Sequence, residues 1–418
     1  MSLSLSLSLA LLLLASSQAS HFTGTVITFH PKNRTANGDV MVVLRYKLNF
    51  RLRGSDSWTC YRGNCGSQRS LTLNDVSRES GNDWFQKEGI MTRQVPYGAP
   101  FQLTLEGGNW INNMQNGIER WRAVTLVDLR NRSDTRQANA SPQTTILPVV
   151  RVPFNCQRDF NLLAFDPDGD EVRCRNGSSS LNECNPCTPP SVLSLSPSCT
   201  LSFSSNSSGD TGPHAVQLVM EDFPRQNISL TQSNGSQTTI TTNNAFSKIP
   251  VQFVLQVDPA VPSCTEGLYL PTFLPPTPAN RARLDSMVNQ TLYITIRAAA
   301  NLSRISELLF SGPHNVIQTS SGPGQFTLSW TPSQSENGES HPICFVVQAV
   351  LNSTKYQSEM RCVIVNVGIV VLRLTARLSS VLPLSEEYIR STVLQQLENE
   401  LVNKGLPPGT NLTLLRKV

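Results

Sequence analysis

The sequence lacks the motifs on which common catalytic sites depend. Its five histidines lie outside any Gly-x-Ser-x-Gly, His-Glu-x-x-His or Cys–His context, and it has no glycine-rich phosphate loop. Its scattered carboxylates do not single out an acid–base pair. We therefore predict that the protein is not an enzyme and that it has no catalytic residues.

Charge clusters and long apolar runs are also scarce. The 34 basic and 30 acidic residues give a net charge of +4, and the basic residues do not cluster. A nucleic acid or an acidic membrane surface is therefore not an expected partner. The best apolar stretch after the N-terminus, 363–374, is interrupted by Asn366 and Arg373. It falls short of the roughly twenty apolar residues that a membrane-spanning helix needs, so we predict no membrane span in this chain.

The N-terminus has the features of a secretion signal. Residues 3–15 are apolar with interleaved serines and no charge, and Ser17-Gln18-Ala19 supplies small residues where a signal peptidase cleaves. We predict a signal peptide over residues 1–19 that is removed after Ala19. The mature protein is then secreted and extracellular, or held at the cell surface if a longer form carries an anchor.

Eleven Asn-x-Ser/Thr tripeptides are spread through the chain after this signal. Such tripeptides are acceptors for N-glycosylation, and their number fits a surface exposed to the secretory pathway. A chain rich in serine and asparagine also contains some by chance. The predicted glycosylation sites are Asn33, Asn131, Asn139, Asn176, Asn206, Asn227, Asn234, Asn289, Asn301, Asn352 and Asn411.

The ten cysteines are even in number, as an oxidised framework requires. Cys60 and Cys65 bracket a short loop with turn residues, and Cys344 and Cys362 flank a hairpin turn at 352–355 almost symmetrically. We predict a disulfide within each pair. The other six cysteines, at positions 156, 174, 184, 187, 199 and 264, allow fifteen connectivities. Cys184-x-x-Cys187 could also be half a zinc site, but no second such pair or His pair accompanies it, which favours disulfides.

Apolar and polar residues alternate with a period of two in many segments. Val42, Leu44, Tyr46, Leu48 and Phe50 fall on one face of a predicted strand, with Arg and Lys between them. Glycine, proline, asparagine and serine separate such runs, and no long amphipathic pattern precedes residue 385. The predicted fold class is mainly β, with tandem antiparallel β-sandwiches and a small C-terminal α+β segment.

A weak internal repeat of about 110 residues organises the middle of the chain. One copy opens at 152–156 and the other at 261–264, and strand-like runs follow in matching order. With the flanking segments, the predicted organisation is a signal peptide at 1–19, an N-terminal β-rich domain at 20–145, sandwiches at 146–259 and 260–368, and a strand–helix–strand segment at 369–418.

Short motifs in both copies resemble those of known extracellular modules. The segment Gly324-Gln325-Phe326-Thr327-Leu328-Ser329-Trp330-Thr331-Pro332 and the alternating strand at 345–351 resemble the end of a cadherin-like or immunoglobulin-like module. The turn Asp166-Pro167-Asp168-Gly169-Asp170 resembles one that is common in those modules. The resemblance covers about half of the chain and implies secreted β-sandwich modules. Residues 20–145 resemble no known family.

The same acidic turn offers several oxygen ligands within a few residues. Asp166, Asp168, Asp170 and Glu171 are hard donors of the kind that Ca²⁺ prefers, and Gly169 permits a tight turn. The spacing differs from that of an EF-hand, so further ligands would come from a neighbouring strand end or from Glu221 and Asp222. The alternative is a solvated β-turn without an ion. Calcium is the one cofactor that the sequence suggests.

The C-terminal segment changes character. A predicted strand at 372–378 precedes Ser385, which is suited to cap a helix whose apolar face contains Ile389, Val393, Leu394, Leu397 and Leu401. A strand at 411–418 then follows. This order resembles the opening half of a SEA-type, ferredoxin-like module from extracellular proteins.

Together these patterns predict an extracellular glycoprotein that acts in adhesion, recognition or matrix structure, with an extracellular protein or glycan as its ligand. The alternative is a secreted hydrolase with its site in the N-terminal domain. There, Trp84, Phe85, Trp110 and Trp121 could line a ligand face, although such residues more often form core. The segment 107–110 is the best candidate for a binding loop.

Overall fold

A computed structural model describes residues 21–51, 56–81, 83–368 and 392–403. The chain divides into two units, Met1–Ile369 and Val370–Val418. The predicted signal peptide, the predicted strands at 372–378 and 411–418, and the glycosylation site Asn411 lie outside the described residues.

The described part of the first unit is formed by strands and four 3-10 helices, which confirms the predicted mainly β fold class. The 3-10 helices are Pro96–Gly98, Ser179–Leu181, Ser208–Asp210 and Gln334–Glu336. The strands are β1 (Phe22–Arg34), β2 (Val40–Phe50), β3 (Thr59–Arg62), β4 (Ser67–Arg78), β5 (Phe85–Val95), β6 (Phe101–Asn109), β7 (Arg120–Val127), β8 (Asn131–Arg132), β9 (Val149–Pro153), β10 (Arg158–Asn161), β11 (Glu171–Asn176), β12 (Leu193–Leu195), β13 (Thr200–Phe203), β14 (Gly212–Phe223), β15 (Ile228–Thr231), β16 (Gln237–Ile240), β17 (Ser247–Asp258), β18 (Thr272–Leu274), β19 (Ala282–Ser286), β20 (Leu292–Ala299), β21 (Arg304–Ser311), β22 (Ile317–Gly322), β23 (Gln325–Trp330), β24 (Ser340–Leu351), β25 (Thr354–Gln357) and β26 (Arg361–Val367).

The largest sheet has eleven strands and is centred on β17. Its main path runs β3-β6-β7-β17-β1-β2-β5-β4, while β9 and β14 also pair with β17, and β11 pairs with β14. Most of β17 is buried, which suits its nearly continuous apolar run. Segments 20–145 and 146–259 therefore contribute strands to one sheet. The period-two pattern fixes the faces of each strand but does not specify its pairing partners.

The alternation in β2 identifies the core face correctly. Val42, Leu44, Tyr46, Leu48 and Phe50 are each at most 2% exposed. The strand pairs with β1 on one side and β5 on the other, over ten or more residues each. Some residues between them, Lys47 and Asn49 among them, are also buried because a second layer covers that face.

The strands of segment 260–368 form two sheets that face each other, and the five-stranded one also packs Leu309, Val346 and Ile364 into the core of the large sheet. A four-stranded sheet, β18-β20-β23-β22, faces a five-stranded sheet, β19-β26-β24-β21, in which β25 also pairs with β24. Ile294, Ile296 and Leu328 from the first sheet share one hydrophobic core with Phe345 and Val363 from the second. We call this segment the second sandwich.

Two small three-stranded sheets complete the described part of the unit, in the orders β10-β13-β12 and β16-β15-β8. Phe160 of β10 and Leu201 and Phe203 of β13 join the same core as the large sheet. The hairpin β15–β16 comes from the polar segment near residues 226–247 and pairs with β8.

The tryptophans of the N-terminal segment belong to the core and not to a ligand face. Trp84, Trp110 and Trp121 are at most 2% exposed. The Phe22 ring stacks on Trp121 at 4.7 Å between centroids and meets Trp110 edge-on at 4.8 Å. Phe50 approaches the Trp121 ring at 6.2 Å. The segment 107–110, the candidate binding loop, thus ends in the buried side chain of Trp110.

The second unit is described at residues 392–403. Its α-helix, α1, spans Leu394–Asn403. It lies within the helix that the apolar spacing predicts and contains Leu394, Leu397 and Leu401 of the predicted apolar face. Ser385 and Ile389 lie outside the described residues.

Candidate functional site

The acidic turn that follows β10 is closed by its own first carboxylate. Oδ1 of Asp166 accepts hydrogen bonds from the backbone N–H groups of Asp168 at 2.8 Å and Asp170 at 3.3 Å. Gly169 has φ +86°, in the left-handed region that favours glycine. These bonds leave Oδ2 of Asp166 directed away from the turn's backbone donors.

A carboxylate from another strand joins this turn. Pairing of β11 with β14 aligns Val172 with Asp222, which lies beside the turn. Asp166, Asp170 and Asp222 each place a carboxylate oxygen within 4.8 Å of the others. Asp222 is fully buried and Asp170 is 7% exposed. The three side chains form what we call the aspartate cluster.

Arg132 of β8 neutralises part of this charge. Its guanidinium binds both oxygens of Asp170, with 2.8 Å from Nη2 to Oδ1. It also donates to Asp134, at 3.0 and 2.8 Å, and to Oδ1 of Asn139 at 2.7 Å. Burial opposes its charge, but the hydrogen bonds that it donates to Asp170 and Asp134 outweigh this effect and raise the pKa of Arg132. Arg132 was not predicted as a site residue, because nothing in its local segment indicates a partner 38 residues later.

Two buried oxygens of the aspartate cluster have no hydrogen-bond partner. They are Oδ2 of Asp166 and Oδ1 of Asp222. The other oxygen of Asp222 accepts from Nδ2 of Asn139 at 2.7 Å and from Oγ of Ser247 at 3.0 Å. Burial, together with the neighbouring negative charges, raises the pKa of Asp166 to about 7 and that of Asp222 well above its ordinary range. This arrangement can accept a proton or a cation.

The structure changes the predicted ligand set. Glu171 is exposed and ion-paired with Arg173 at 2.8 Å, because its side chain points to the opposite face of β11 from the cluster. Asp168 lies beside the cluster, where its Oδ2 accepts from the backbone N–H of Ala140 at 2.8 Å. Asp222 belongs to the cluster, whereas Glu221, one residue earlier, binds Arg175 at 2.7 Å.

The predicted glycosylation sites fall into three groups by exposure. Eight of the ten described ones are exposed, and Asn131 is half-buried. Asn139 is different because it is 1% exposed and its Nδ2 already donates to Asp222. A glycan on that nitrogen is incompatible with this fold, so we expect Asn139 to be unmodified, unlike the exposed sites. The tripeptide pattern is local and does not reveal the burial of its asparagine.

All ten cysteines form disulfides in the structure. Cys60 is bonded to Cys65, and Cys344 to Cys362 across β24 and β26. The pairing of the other six is Cys156–Cys264, Cys174–Cys199 and Cys184–Cys187. The Cys156–Cys264 bond ties the start of the second sandwich to the segment that precedes β10.

The outer face of the four-stranded sheet is a second candidate site. Tyr293 of β20 and Ile317 of β22 are both in register with Ser329 of β23, so the three side chains form one row across the sheet. Tyr293 is 68% exposed and Ile317 is 63% exposed. The next row consists of three threonines, Thr295, Thr327 and Thr319. We call these two rows the outer face, and their side chains are directed away from the core of the second sandwich.

Comparisons with known proteins give distant similarities. No family model matches the chain. Integrin beta-like protein C of Dictyostelium discoideum is 22% identical over 331 residues, which cover 70% of this chain and 16% of that protein. Integrin beta-like protein E of the same organism is 24% identical over 298 residues, covering 64% and 14%. The chain therefore spans about one sixth or less of the length of these relatives.

Solved structures with some similarity contain immunoglobulin domains. The crystal structure of the N-terminal eight Ig domains of Down Syndrome Cell Adhesion Molecule (isoform 1.30.30) is 10% identical, with a TM-score of 0.17 over 82% of this chain and 37% of that one. The N-terminal four Ig domains of Dscam1 isoform 9.44 are 11% identical, with a TM-score of 0.15 over 84% and 73%. TM-scores this low do not establish a shared fold. Among the described helices, none has the length and hydrophobicity needed to cross a membrane.

Proposed function

We propose that this chain is an extracellular glycoprotein that acts in adhesion or recognition and binds a protein ligand through the outer face of the second sandwich. The observation that carries the proposal is the row of Tyr293, Ser329 and Ile317. An aromatic and a β-branched side chain are exposed on a hydrogen-bonded sheet, next to threonines that can accept and donate hydrogen bonds. Exposed aromatic residues on a preordered surface are common anchors of protein interfaces.

Other features support an extracellular location. The predicted signal peptide, the exposed glycosylation sites and the five disulfides all fit the oxidising secretory pathway. The similarity to two integrin beta-like proteins agrees with a role in adhesion. We assign the binding role to one surface of this chain, the outer face of the second sandwich.

The test uses the whole chain secreted from eukaryotic cells. We expect its mature N-terminus to be Ser20 by Edman sequencing, since cleavage follows Ala19. The purified protein, coupled to fluorescent beads, should bind cells or a second set of coated beads saturably, and excess free protein should compete. Treating the cells with a protease, in parallel with glycosidases, distinguishes a protein ligand from a glycan.

The combined variant Tyr293→Ala with Ile317→Ser should reduce bead binding at least tenfold, because it removes both exposed anchors of the outer face. Leu181→Ser is the matched control, since Leu181 is also an exposed apolar side chain, at 52%, but lies far along the chain in another segment. Retention of the protein in the cytosol would contradict the proposed location. Saturable binding that the double variant leaves unchanged would contradict the assignment of the outer face.

A further inference from the structure

The aspartate cluster contains more buried negative charge than its nearby cation can balance. Arg132 is the cation bound to the cluster in the described part of the chain, and its guanidinium is shared among Asp170, Asp134 and Asp168, the last at 3.5 Å. Arg225 approaches the turn but donates to the carbonyl of Gly169. Among the described residues, Asp166 and Asp222 therefore have no cationic side chain bonded to them. Burying unpaired charge is costly, so the site requires a further positive charge.

Asp222 supplies an independent sign of a ligand. Its side chain is fully buried, and its Oδ1 has no hydrogen-bond partner although Oδ2 has two. Asp222 also places a carboxylate oxygen within 4.8 Å of oxygens of Asp166 and Asp170. Oδ2 of Asp166 is also buried without a partner. Buried polar atoms normally have partners, so two such oxygens in one cluster point to a ligand that both can bind.

We propose that Asp166, Asp170 and Asp222 bind one Ca²⁺ ion. The donor atoms are carboxylate oxygens without histidine or cysteine, which suits a hard cation and disfavours Zn²⁺. Three side chains leave coordination positions for water, and Ca²⁺ tolerates such irregular shells better than Mg²⁺. Arg132 also binds Asp134 and Asn139, so it keeps partners when an oxygen of Asp170 turns to the ion.

The bound ion would join three parts of the fold. Asp166 and Asp170 belong to the turn before β11, Asp222 belongs to β14, and Arg132 connects the cluster to β8. With three protein carboxylates and an arginine nearby, we expect an affinity in the range of extracellular modules, a Kd of about 10⁻⁴ to 10⁻³ M. At 1 mM Ca²⁺ the site would then be between about half and nine-tenths filled.

The experiment measures thermal unfolding of the secreted full chain at pH 7.4, in chelator and in 0.1 to 10 mM CaCl₂, with MgCl₂ as the ionic control. Because the ion binds the native state, Tm should rise with the logarithm of Ca²⁺ concentration above Kd. Isothermal titration with CaCl₂ should give one site per chain. Asp166→Asn and Asp222→Asn should each weaken binding at least tenfold.

Glu171→Gln is the matched control, since Glu171 follows the same turn but faces solvent. It should retain the Ca²⁺ response of the unmutated chain.

If Asp222→Asn does not fold, Asp166→Asn still tests the site, because Asp166 lies at the less buried edge of the cluster. The proposal is overturned if the unmutated chain binds no Ca²⁺ at 10 mM, if both asparagine variants bind normally, or if Mg²⁺ acts equally. If low pH raises Tm and Ca²⁺ does not, the aspartate cluster binds a shared proton and not the ion. These outcomes do not depend on the ligand of the outer face.

Discussion

The ammonium group of Lys47 lies 2.7 Å from Oε1 of Glu88, and both side chains are buried where β2 and β5 meet the second sandwich. Lys47 also donates to the carbonyl of Gly312, and Oε2 of Glu88 accepts from the backbone N–H of His314 at 3.0 Å. Burial alone would raise the pKa of Glu88, but the charge of Lys47 outweighs it and holds that pKa below its usual range. The pair therefore attaches the second sandwich to the large sheet.

Removing one member of this pair should destabilise the protein strongly. Lys47→Met removes the ammonium group that is bonded to the buried Glu88 carboxylate, which should cost about 3–5 kcal/mol in the free energy of unfolding by denaturant. The His314 side chain, with Nδ1 2.8 Å from Oε2 of Glu88, stays in place. Lys87→Met is the control, since its partner Asp75 is largely exposed and 3.9 Å away, and it should change stability by less than about 1 kcal/mol. Equal losses in the two variants would show that the buried pair has no special role.

The disulfides should stabilise the protein in the order of the loops that they close. The chain-entropy model gives about 5 kcal/mol for Cys156–Cys264, about 3 for Cys344–Cys362 and about 2 for Cys60–Cys65. Their sequence separations are 108, 18 and 5 residues. Paired alanine variants, unfolded in guanidinium chloride, measure each loss. A larger loss for the Cys60/Cys65 variant than for Cys156/Cys264 would contradict the model for this fold.

Asn139 should carry no glycan in the secreted protein. Its amide links Arg132 to Asp222 inside the fold, whereas Asn227 and Asn352 are exposed acceptors. Glycopeptide mass spectrometry should find position 139 unmodified and exposed sites occupied. Asn139→Leu should also lower stability by about 1–3 kcal/mol, because it leaves buried polar partners unsatisfied, while Asn352→Gln should have little effect. A glycosylated Asn139 in folded protein would disprove its placement.

The Asp166 carboxyl should make the ion-free protein less stable as pH rises from 4 to 7. Its pKa is about 7 in the folded chain and about 4 when unfolded. The folded state thus binds this proton more tightly, so its contribution is complete below about pH 4 and is lost as pH rises through about 7. In chelator, the Tm of the unmutated chain should fall between pH 4 and pH 7 relative to the Tm of Asp166→Asn.

Groups whose pKa is lowered in the folded chain change its stability with pH in the opposite direction. Glu88 and Glu339 lose their stabilising contribution as pH falls, but they do so in both proteins and cancel in the comparison. Asp168, Asp170 and Arg132 surround Asp166 and are also common to both. Asp222 titrates together with Asp166, so the difference between the two profiles reports the proton that this pair binds. Parallel pH profiles for the two proteins would place the proton elsewhere.

Local patterns in the sequence determined much of the fold class and the parts of the acidic turn. Alternation in β2 identified five buried side chains, because successive side chains of a strand point to opposite faces. The turn at Asp166–Asp170 follows from Gly169 and from aspartates that bond to nearby backbone N–H groups. The symmetry of Cys344 and Cys362 about a hairpin turn likewise depends on residues close in the chain.

Only the tertiary structure decided which distant residues meet. Asp222 joins Asp166 because β14 pairs with β11, and Arg132 reaches Asp170 from a separate small sheet. Tertiary packing also decided that Asn139 is buried and that Glu171 faces solvent. It likewise brought strands from before and after residue 145 into one sheet. The sequence by itself determined which face of each strand is apolar. Strand pairing, and with it the composition of the aspartate cluster, depends on packing between segments that no local period encodes.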